Sequence, residues 1–384
     1  MKRVQVKSIS KANLLPDTYF IGKYRCCPYQ GCLHACRYCD GRSEKYYVEG
    51  DFDKDIVIRE NLPSVLETSL KKARERGIVS LASGVSDAYQ PLEEVEELTR
   101  QCGQVILRQG HPAVVTTKSS LIMRDIDLWS QVNEKAGFTL LMSLTHVDDQ
   151  VRRITEPYTA SIEERLKTLK AFKARGMSIG VLAMPILPLL DHQEQAFMDL
   201  LRDLNPDVVI PGGLTLRPGI NKDTYFKMLK DHFPEHLRAY EYMYGLNKAS
   251  GIPRGEDMTS LEKKFYQAGF PVRMVPKMYQ GQMPVYDEIY ILLSHMMTHY
   301  KLRGVDIGPL SQAFKVYSKW LEDRKRYYNR RRHLSFMDLE SQVFYMLEGQ
   351  GMLDLIGNPK LVTFLQEVVL NKRKFDYVRL KLED

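Results

Sequence analysis

Five of the six cysteines in the 384-residue chain lie within one short stretch, residues 26–39. Three of them, Cys32, Cys36 and Cys39, have the spacing C-x3-C-x2-C, which lets three thiolates converge on one small inorganic centre. A cubane iron–sulfur cluster held by three cysteines keeps one iron open to a ligand from outside the protein. A closed structural zinc site, in contrast, usually takes four protein ligands. The spacing therefore favours a [4Fe-4S] cluster.

An open iron of this kind can be chelated by the amino and carboxylate groups of S-adenosylmethionine. One electron from the reduced cluster then breaks a C–S bond of the sulfonium, and the 5′-deoxyadenosyl radical that forms abstracts hydrogen from an inert C–H bond. In such a reaction the cofactor supplies the chemistry, while the protein positions and shields it. A lysine or serine at the end of a strand can hold the methionine carboxylate, and an apolar wall excludes water and oxygen.

Two other interpretations of the cysteines stay open from the residues alone. His34, Cys26 or Cys27 could complete a zinc site, or the cysteines could be unrelated buried thiols. Cys26 and Cys27 are also candidates for a hydrogen donor or an auxiliary group near the cluster. For Cys102, which falls inside the helix predicted at residues 91–108, core packing is the better explanation.

Downstream of residue 77, short apolar segments alternate with amphipathic helices. Strands are predicted at residues 78–82, 113–117, 138–143, 179–184 and 208–210. Continuous apolar strands separated by helices are typical of a parallel sheet that helices cover. With a β-prone segment at residues 18–21, which leads into the cysteine loop, the pattern gives about six βα units. Residues 56–58, after the loop, are a further short strand candidate. The predicted fold class is α/β, a partial (β/α)6 barrel of the TIM type with an α-helical C-terminal extension.

Polar residues follow most of the predicted strands. They are Ser83, Ser86, Asp87, Lys118, Ser119, Ser143 and Thr145, while Pro185 follows the fifth strand. The carboxyl ends of parallel barrel strands meet at one mouth, where catalytic residues of such barrels sit. These side chains are therefore expected to gather around the cysteine loop.

The chain changes character beyond residue 223, where helical patterns dominate. Residues 271–275 form one last candidate strand, and no strand is predicted beyond residue 286. We predict a lead-in at residues 1–20, a barrel domain at residues 21–283 and a helical domain at residues 284–384.

Composition excludes several classes of protein. Hydrophobic residues make up 44% of the chain and charged residues 27%, which are ordinary values for a globular protein. The first residues lack the apolar segment of a signal peptide, and no apolar run is long enough to cross a membrane. Clustered cysteines fit a metal site in a reducing compartment better than a disulfide framework. We therefore expect a cytoplasmic protein with no membrane association, and its net charge of +7 permits a polyanionic partner.

A series of ordered motifs resembles the spore photoproduct lyase-like group of the radical S-adenosylmethionine (radical SAM) superfamily, often described as DNA-repair photolyase-like. The stretch from Cys27 to Cys39 resembles the group's N-P-Y-x-G-C-x-H-x-C-x-Y-C motif, with Cys27 in place of asparagine. Further matches follow in the same order: residues 86–91 (T-D-x-Y-Q-P), 116–119 (T-K-S), Ser143 with 155–157 and 164–166 (S-I, x-E-P, E-R-L), and 183–188 (A-P-I-x-P). The resemblance covers about residues 24–280.

The resemblance implies a radical SAM enzyme whose cofactors are a [4Fe-4S] cluster and S-adenosyl-L-methionine. It assigns the cluster to Cys32, Cys36 and Cys39. It implies that Lys118 and Ser143 contact S-adenosylmethionine. Four further residues would line that site: Ser83, Ser86, Asp87 and Glu156. Tyr38 matches a tyrosine that helps to relay a hydrogen atom in the lyases, and the implied partner is a reductant such as flavodoxin or ferredoxin.

One position departs from the lyase pattern. True spore photoproduct lyases carry a hydrogen-donating cysteine just before the S-D pair, and here Gly84 stands in that place. A glycine cannot quench a substrate radical, so Cys26, Cys27 or Cys102 would have to take that role. The resemblance therefore implies how the reaction starts and leaves open how it ends.

Three hypotheses follow for the function. The first is radical chemistry on nucleic acid or damaged bases. The second is the same chemistry on a peptide or small metabolite, with the helical domain binding the substrate or a partner, and the third is a zinc-stabilised nucleic-acid-binding protein.

The stretch from Arg324 to His333, with six arginines and lysines and two tyrosines, suits a phosphate backbone and stacked bases. The alternative is a solvated helix face paired with Glu322 and Asp323. Residues 371–374 form a second, smaller basic cluster.

Overall fold

A seven-stranded sheet organises the computed structural model, which describes residues 1–9, 11–46, 49–81, 86–190, 193–245, 251–253 and 258–383. The strands of the described residues are β1 (Lys2–Val4), β2 (Lys11–Ala12), β3 (Tyr24–Arg25), β4 (Tyr29–Gln30), β5 (Val57–Arg59), β6 (Val79–Leu81), β7 (Ala113–Thr117), β8 (Phe138–Ser143), β9 (Ser178–Ile186), β10 (Val208–Gly213), β11 (Phe375–Asp376) and β12 (Lys381–Leu382).

Helices lie between and after these strands. They are α1 (Leu62–Lys71), α2 (Glu93–Glu96), α3 (Leu98–Gln109), α4 (Ile126–Lys135), α5 (Asp149–Thr155), α6 (Ile162–Ala174), α7 (Glu194–Leu204), α8 (Ile220–His232), α9 (Leu237–Tyr244), α10 (Met258–Gln267), α11 (Val285–Leu302), α12 (Gly308–Arg330), α13 (Phe336–Glu348), α14 (Gly351–Ile356) and α15 (Pro359–Leu365).

Six strands of the main sheet are parallel and follow the order β3-β6-β7-β8-β9-β10, with β2 antiparallel on the outer edge of β3. Every residue of β8 is buried, as expected for a strand with helices on one face and the barrel interior on the other. The predicted partial (β/α)6 barrel with a helical C-terminal extension is confirmed. The expectation that no strand lies beyond residue 286 is wrong, since β11 and β12 pair antiparallel near the end of the extension.

A second, three-stranded sheet holds the start of the cysteine loop. Its order is β1-β5-β4, and β4 pairs antiparallel with β5 through Tyr29 opposite Ile58. Because β4 lies within the cysteine motif, this small sheet anchors the loop to the residues that precede α1. It also confirms the strand predicted at residues 56–58, with a shift of one residue.

Two predicted strands are wrong. The first barrel strand is Tyr24–Arg25, whereas residues 18–20 form a turn. Residues 271–275 form no strand either. Pro271 has no N–H group, and the Val272 N–H donates to Nε2 of His299 (3.2 Å) instead of to a neighbouring strand.

The helix predicted at residues 91–108 is interrupted in the structure. Glu97 lies between α2 and α3 in a left-handed conformation, with φ of 50°. The buried Glu93 carboxylate accepts hydrogen bonds from the backbone N–H groups of Thr99 and Arg100, which an unbroken helix would use internally. A side chain thus replaces the helical hydrogen bonds at the break.

The C-terminal helices close the amino-terminal end of the barrel. Ile291 of α11 packs in one buried apolar cluster with Met278, which precedes α11, and with Val114 and Val208 of the barrel strands. A second cluster joins the helices from α11 to α15. Our proposed domain boundary at residues 283 and 284 falls just before α11.

Four buried charged side chains link the barrel to these helices. Lys23 and Glu75 come from the barrel, and Asp287 and Lys325 come from α11 and α12. Lys325 Nζ lies 2.7 Å from Asp287 Oδ1 and 2.8 Å from Glu75 Oε1. Lys23 Nζ lies 2.7 Å from Glu75 Oε2. Because none of these charges reaches water freely, each depends on the others for its compensation.

No helix in the described part of the chain is long and apolar enough to cross a bilayer.

Replacing Lys325 with methionine should destabilise the protein strongly. The substitution leaves Asp287 buried without its closest cation, and removing one partner of a buried ion pair costs about 3–5 kcal/mol. Urea unfolding followed by circular dichroism measures the change. Lys319→Met is the matched control, since Lys319 lies on the same helix and its 3.0 Å pair with Asp323 is exposed. Equal losses in the two variants would contradict the role assigned to the buried charges.

Two stacked histidines on α11 should make stability depend on pH. His299 Nδ1–H donates to the His295 carbonyl (2.8 Å) while Nε2 accepts from Val272, so the ring must stay neutral. Burial lowers the pKa of His295 to about 4 and that of His299 to about 2. An unfolded histidine titrates near 6.5. As pH falls below that value only the unfolded chain gains these protons, so stability falls.

His299→Gln should therefore reduce the slope of unfolding free energy against pH by about 1.4 kcal/mol per pH unit between pH 5 and 6. Denaturant midpoints at several pH values measure this slope, and the same measurements on His232→Gln control for the loss of an exposed imidazole. An unchanged slope in His299→Gln would show that His299 is protonated in the folded protein.

Candidate active site at the carboxyl ends of the strands

The three cysteines of the motif lie on successive tight turns after β4. Cys32 N–H donates to Phe52 O (2.9 Å), Ala35 N–H to Cys32 O (3.2 Å), and Cys39 N–H to Cys36 O (3.2 Å). Gly31 has φ of 82°, and a Cβ there would lie 2.8 Å from Phe52 O, so only glycine lets the loop approach that carbonyl. The backbone thus fixes the direction in which the loop leaves the small sheet.

Burial affects all three thiols. Cys32 and Cys36 are buried and Cys39 is partly exposed. Burial raises the pKa of each thiol above its ordinary value, because a lone thiolate is poorly solvated there. Thiolates become favourable in such a place when a metal centre displaces their protons. The loop is therefore suited to a metal group and unsuited to free thiolates.

The donor set of the loop is three thiols with the sequence spacing C-x3-C-x2-C. Tetrahedral ligands 2.3 Å from one zinc ion lie about 3.8 Å apart. Among the described residues, no three histidine, cysteine or carboxylate side chains gather closely enough to hold one metal ion. Cysteines of a cubane cluster bind different irons and lie farther apart. The donor set therefore fits a [4Fe-4S] cluster.

An apolar wall lies beside the loop. Cys36 and Tyr38 belong to a buried cluster with Leu187, Leu214 and Leu216, which follow β9 and β10. Asn221 of α8 donates to the Cys39 carbonyl (2.9 Å) and ties this wall to the end of the motif. The arrangement excludes water from one side of the loop.

Ser86 and Gln90 clamp the loop backbone. Ser86 Oγ donates to Gly31 O (2.8 Å), and Gln90 Nε2 donates to the same oxygen (3.2 Å). Gln90 Oε1 accepts the Leu33 N–H (2.9 Å). Ser86 was predicted to line the S-adenosylmethionine site, and the structure adds a second task, that of holding the cysteine loop in place.

Asp87 organises the end of β7. Its carboxylate accepts from Thr117 Oγ1 (2.7 Å), from the Lys118 N–H (2.7 Å) and from the Tyr89 N–H (2.8 Å). His34 Nε2 lies 3.5 Å from the same carboxylate. Although burial alone would raise the pKa of Asp87, these hydrogen bonds and His34 lower it. Asp87 is thereby an anion that positions the backbone of Lys118.

Glu156 connects three elements of the site. Its buried carboxylate accepts the Tyr38 hydroxyl, pairs with Arg165 of α6, and lies 3.7 Å from Lys118 Nζ. Thr145 Oγ1 donates to it as well (3.4 Å). Burial would raise the pKa of Glu156, but the Arg165 and Lys118 charges outweigh burial and hold that pKa well below its usual range. The carboxylate stays ionised and fixes Lys118 against the cysteine loop.

The structure brings most of the predicted site residues together. Tyr38, Ser86, Asp87, Lys118 and Glu156 join the loop in one network, and Ser143 enters it through its carbonyl, which accepts from Arg165 Nη1 (3.0 Å). Ser83 and Gly84 lie outside the described residues.

Sequence reasoning missed several residues of the network. They are Gln90, Thr117, Arg165 and Asn221. Gln90, Thr117 and Arg165 fall inside the motifs that carry the family resemblance, which is the signal that could have identified them. Asn221 lies beyond the motifs, and only the fold shows its contact with the loop.

Fold and loop define a class of protein, a barrel enzyme that carries an iron–sulfur cluster at the carboxyl ends of its strands. The radical SAM superfamily model matches residues 26–201. An uncharacterized protein of Methanocaldococcus jannaschii is 30% identical over 185 residues, which are 48% of this chain and 68% of that protein. An uncharacterized protein of Mycobacterium tuberculosis is 28% identical over 247 residues, or 62% of this chain and 71% of that one.

The chain belongs to the radical SAM superfamily. A solved spore photoproduct lyase mutant shares the fold with a TM-score of 0.50, at 17% identity over 73% of this chain and 80% of that chain. The protein is therefore a radical SAM enzyme that uses a [4Fe-4S] cluster and S-adenosylmethionine. Enzymes of this superfamily take their electron from an external reductant.

Replacing Gln90 with alanine should loosen the cysteine loop while the barrel still folds. The change leaves the Leu33 N–H without its partner, at a cost of about 1–3 kcal/mol. We expect the reconstituted variant to lose iron to a chelator faster than the wild-type protein. Gln101→Ala, at an exposed position of α3, is the control. Wild-type iron retention in Gln90→Ala would show that the clamp does not hold the cluster-binding conformation.

Proposed function

We propose that Cys32, Cys36 and Cys39 hold the [4Fe-4S] cluster and that Lys118 and Ser143 bind the methionine carboxylate of S-adenosylmethionine. The observation that carries this proposal is the loop itself, whose three thiols lie on successive turns at the carboxyl ends of the strands. When bound, the cluster supplies the electron that cleaves S-adenosylmethionine and starts radical chemistry by hydrogen abstraction.

Lys118 is suited to a carboxylate ligand. Its Nζ lies 3.7 Å from Glu156 and 5.7 Å from the Tyr38 ring centroid, so the ammonium group is held over Tyr38, directly before Cys39. The Ser143 hydroxyl makes no hydrogen bond within the described part of the chain and is available to the same ligand. Ser86, Asp87 and Glu156 shape the surroundings. Ser83, predicted from its place after a strand, lies outside the described residues and stays a prediction.

Tyr38 remains our candidate for the hydrogen-atom relay. Its hydroxyl donates to Glu156, and burial raises the pKa of Tyr38 well above its ordinary value, so the phenol keeps its proton. A relay requires this hydrogen bond to open, because the phenolic hydrogen otherwise points at the carboxylate. Glu156 thus determines when Tyr38 is available.

We infer that the substrate is nucleic acid or a damaged base. The ordered spore photoproduct lyase-like motifs and the net charge of +7 support this inference. Gly84 in place of the donor cysteine argues for a reaction that ends differently from that of the lyases. The second candidate, a peptide or small metabolite, shares the same cofactor chemistry.

A low-potential carrier such as flavodoxin or ferredoxin is the proposed reductant. None of the six cysteines, all of which the structure describes, forms a disulfide, which supports a reducing, cytoplasmic location.

Alanine substitution of Cys32, Cys36 or Cys39 should abolish cluster assembly. After anaerobic reconstitution we expect about four irons per wild-type chain, and a loss of iron together with a loss of 5′-deoxyadenosine formation in each variant. Cys102→Ala, which removes a buried thiol outside the motif, should keep both. A colourless wild-type protein that binds zinc would contradict the proposal.

The substrate class is tested by adding DNA or RNA to the reconstituted enzyme. We expect 5′-deoxyadenosine formation to rise when nucleic acid is present and the effect to weaken as salt increases. If neither DNA nor RNA changes the rate of 5′-deoxyadenosine formation, a nucleic-acid substrate is wrong and the peptide or metabolite alternative takes its place.

A further inference from the structure

Two basic runs that are far apart in the sequence meet at the underside of the barrel. Arg74, which follows α1, donates from Nη1 to the Tyr328 carbonyl at the end of α12 (2.6 Å). Its guanidinium also stacks on the Phe336 ring, with 5.1 Å between Cζ and the ring centroid. Lys72 lies two residues before Arg74, at the carboxyl terminus of α1.

The basic stretch of α12 divides into a buried and an exposed part. Lys325 is fully buried in the charged cluster described above. Arg330, Arg331 and Arg332 are exposed, and none of them makes an ion pair with a residue that the structure describes. Lys72 is exposed and unpaired in the same sense. The alternative of a helix face paired with Glu322 and Asp323 holds for Arg326, which pairs with Glu322, but does not extend to Arg330, Arg331 and Arg332, because Asp323 pairs with Lys319.

Helix dipoles do not account for this charge. Two helices, α1 and α12, end at this corner, and each carboxyl terminus carries about half a negative charge. Together they offset about one of the four unpaired cations. A net surplus of about three positive charges is left on one small surface, defined here as the underside patch of Lys72, Arg330, Arg331 and Arg332.

An aromatic platform belongs to the same surface. Arg331 Cζ lies 3.9 Å from the centroid of the Tyr327 ring, and Tyr327 is 42% exposed. Cations combined with an exposed stacked aromatic ring suit a phosphate backbone with bases next to it. An acidic protein partner, in contrast, would use the positive charges but would not need the aromatic ring.

The underside patch lies at the opposite end of the barrel from the cysteine loop. Arg74 and Lys72 precede β6, whereas Ser86, which clamps the loop, follows it. A reductant must come close to the cluster, so it has no reason to dock here. A nucleic acid chain, in contrast, can contact both ends of the molecule.

We propose that the underside patch is a docking surface for the backbone of a nucleic acid whose reacting nucleotide lies at the other end of the barrel. This inference rests on the proposed function, and it adds that the polymer is anchored away from the chemistry. The longest strand, β9, has nine residues and spans about 30 Å. Since duplex DNA rises about 3.4 Å per base pair, contact with both ends needs roughly ten base pairs or more.

The test compares two triple variants of the full-length protein with equal loss of charge. Arg330→Gln/Arg331→Gln/Arg332→Gln alters the patch. Lys227→Gln/Lys230→Gln/Arg238→Gln is the control and alters exposed cations of α8 and α9, the helices next to the cysteine loop. Fluorescence anisotropy with a fluorescein-labelled 30-base-pair duplex measures Kd at several salt concentrations.

We expect the patch variant to bind at least 10-fold more weakly near physiological salt. Its slope of log Kd against log salt should fall by about 2–3, because up to three phosphate contacts are lost at about 0.9 each. Lys72→Gln should weaken binding further, whereas lysine at the three arginine positions should restore most of it. The control triple should lose clearly less affinity than the patch variant, and circular dichroism checks that all variants fold.

Probe length provides a second measurement. Affinity for duplexes of 4 to 30 base pairs should rise past about ten base pairs in the wild-type protein but much less in the patch variant. Salt-insensitive binding, or loss of binding in the control triple alone, would overturn the proposal. So would a patch variant that loses flavodoxin binding while it keeps nucleic acid.

The outcomes also separate this proposal from the proposed function. If nucleic acid stimulates 5′-deoxyadenosine formation equally in wild-type and patch variant, the function stands and the docking surface is wrong. If the patch binds nucleic acid but S-adenosylmethionine cleavage never responds, the surface stands and the substrate is wrong.

Discussion

The ionised carboxylate of Glu156 is the interaction on which the candidate site depends. It is fully buried, and it joins the cysteine loop through Tyr38, the end of β7 through Lys118, and α6 through Arg165. A buried charge of this kind is stable only with its partners in place. The loop, the strand ends and the covering helix therefore adopt one mutual arrangement.

Much of the barrel was predictable because its strands are buried on both faces. The strands at residues 113–117 and 138–143 begin and end at the predicted residues. The cysteine spacing and the motifs likewise identified the cofactors. Prediction failed where a residue distant in the sequence determines the local structure. The Val272 N–H donates to His299, so residues 271–275 do not form the predicted strand. It also failed at Glu97, where the Glu93 side chain replaces helical hydrogen bonds.

The site residues show the same division. Residue types near strand ends indicated Asp87 and Lys118, but a sequence cannot show that Asp87 holds the Lys118 backbone and Glu156 its ammonium group. The basic stretch of α12 was visible as a run of charge. Only the packing of α12 on the barrel shows that Lys325 is buried and that Arg330, Arg331 and Arg332 are exposed.

The closed amino-terminal end of the barrel limits how small molecules enter and leave the candidate active site. Met278 and Ile291 fill that end, so S-adenosylmethionine and the molecule it acts on share the opposite mouth as their entrance. With one entrance for both molecules, a bulky second molecule over the cluster would block S-adenosylmethionine. We therefore expect S-adenosylmethionine to bind first and its products to leave last.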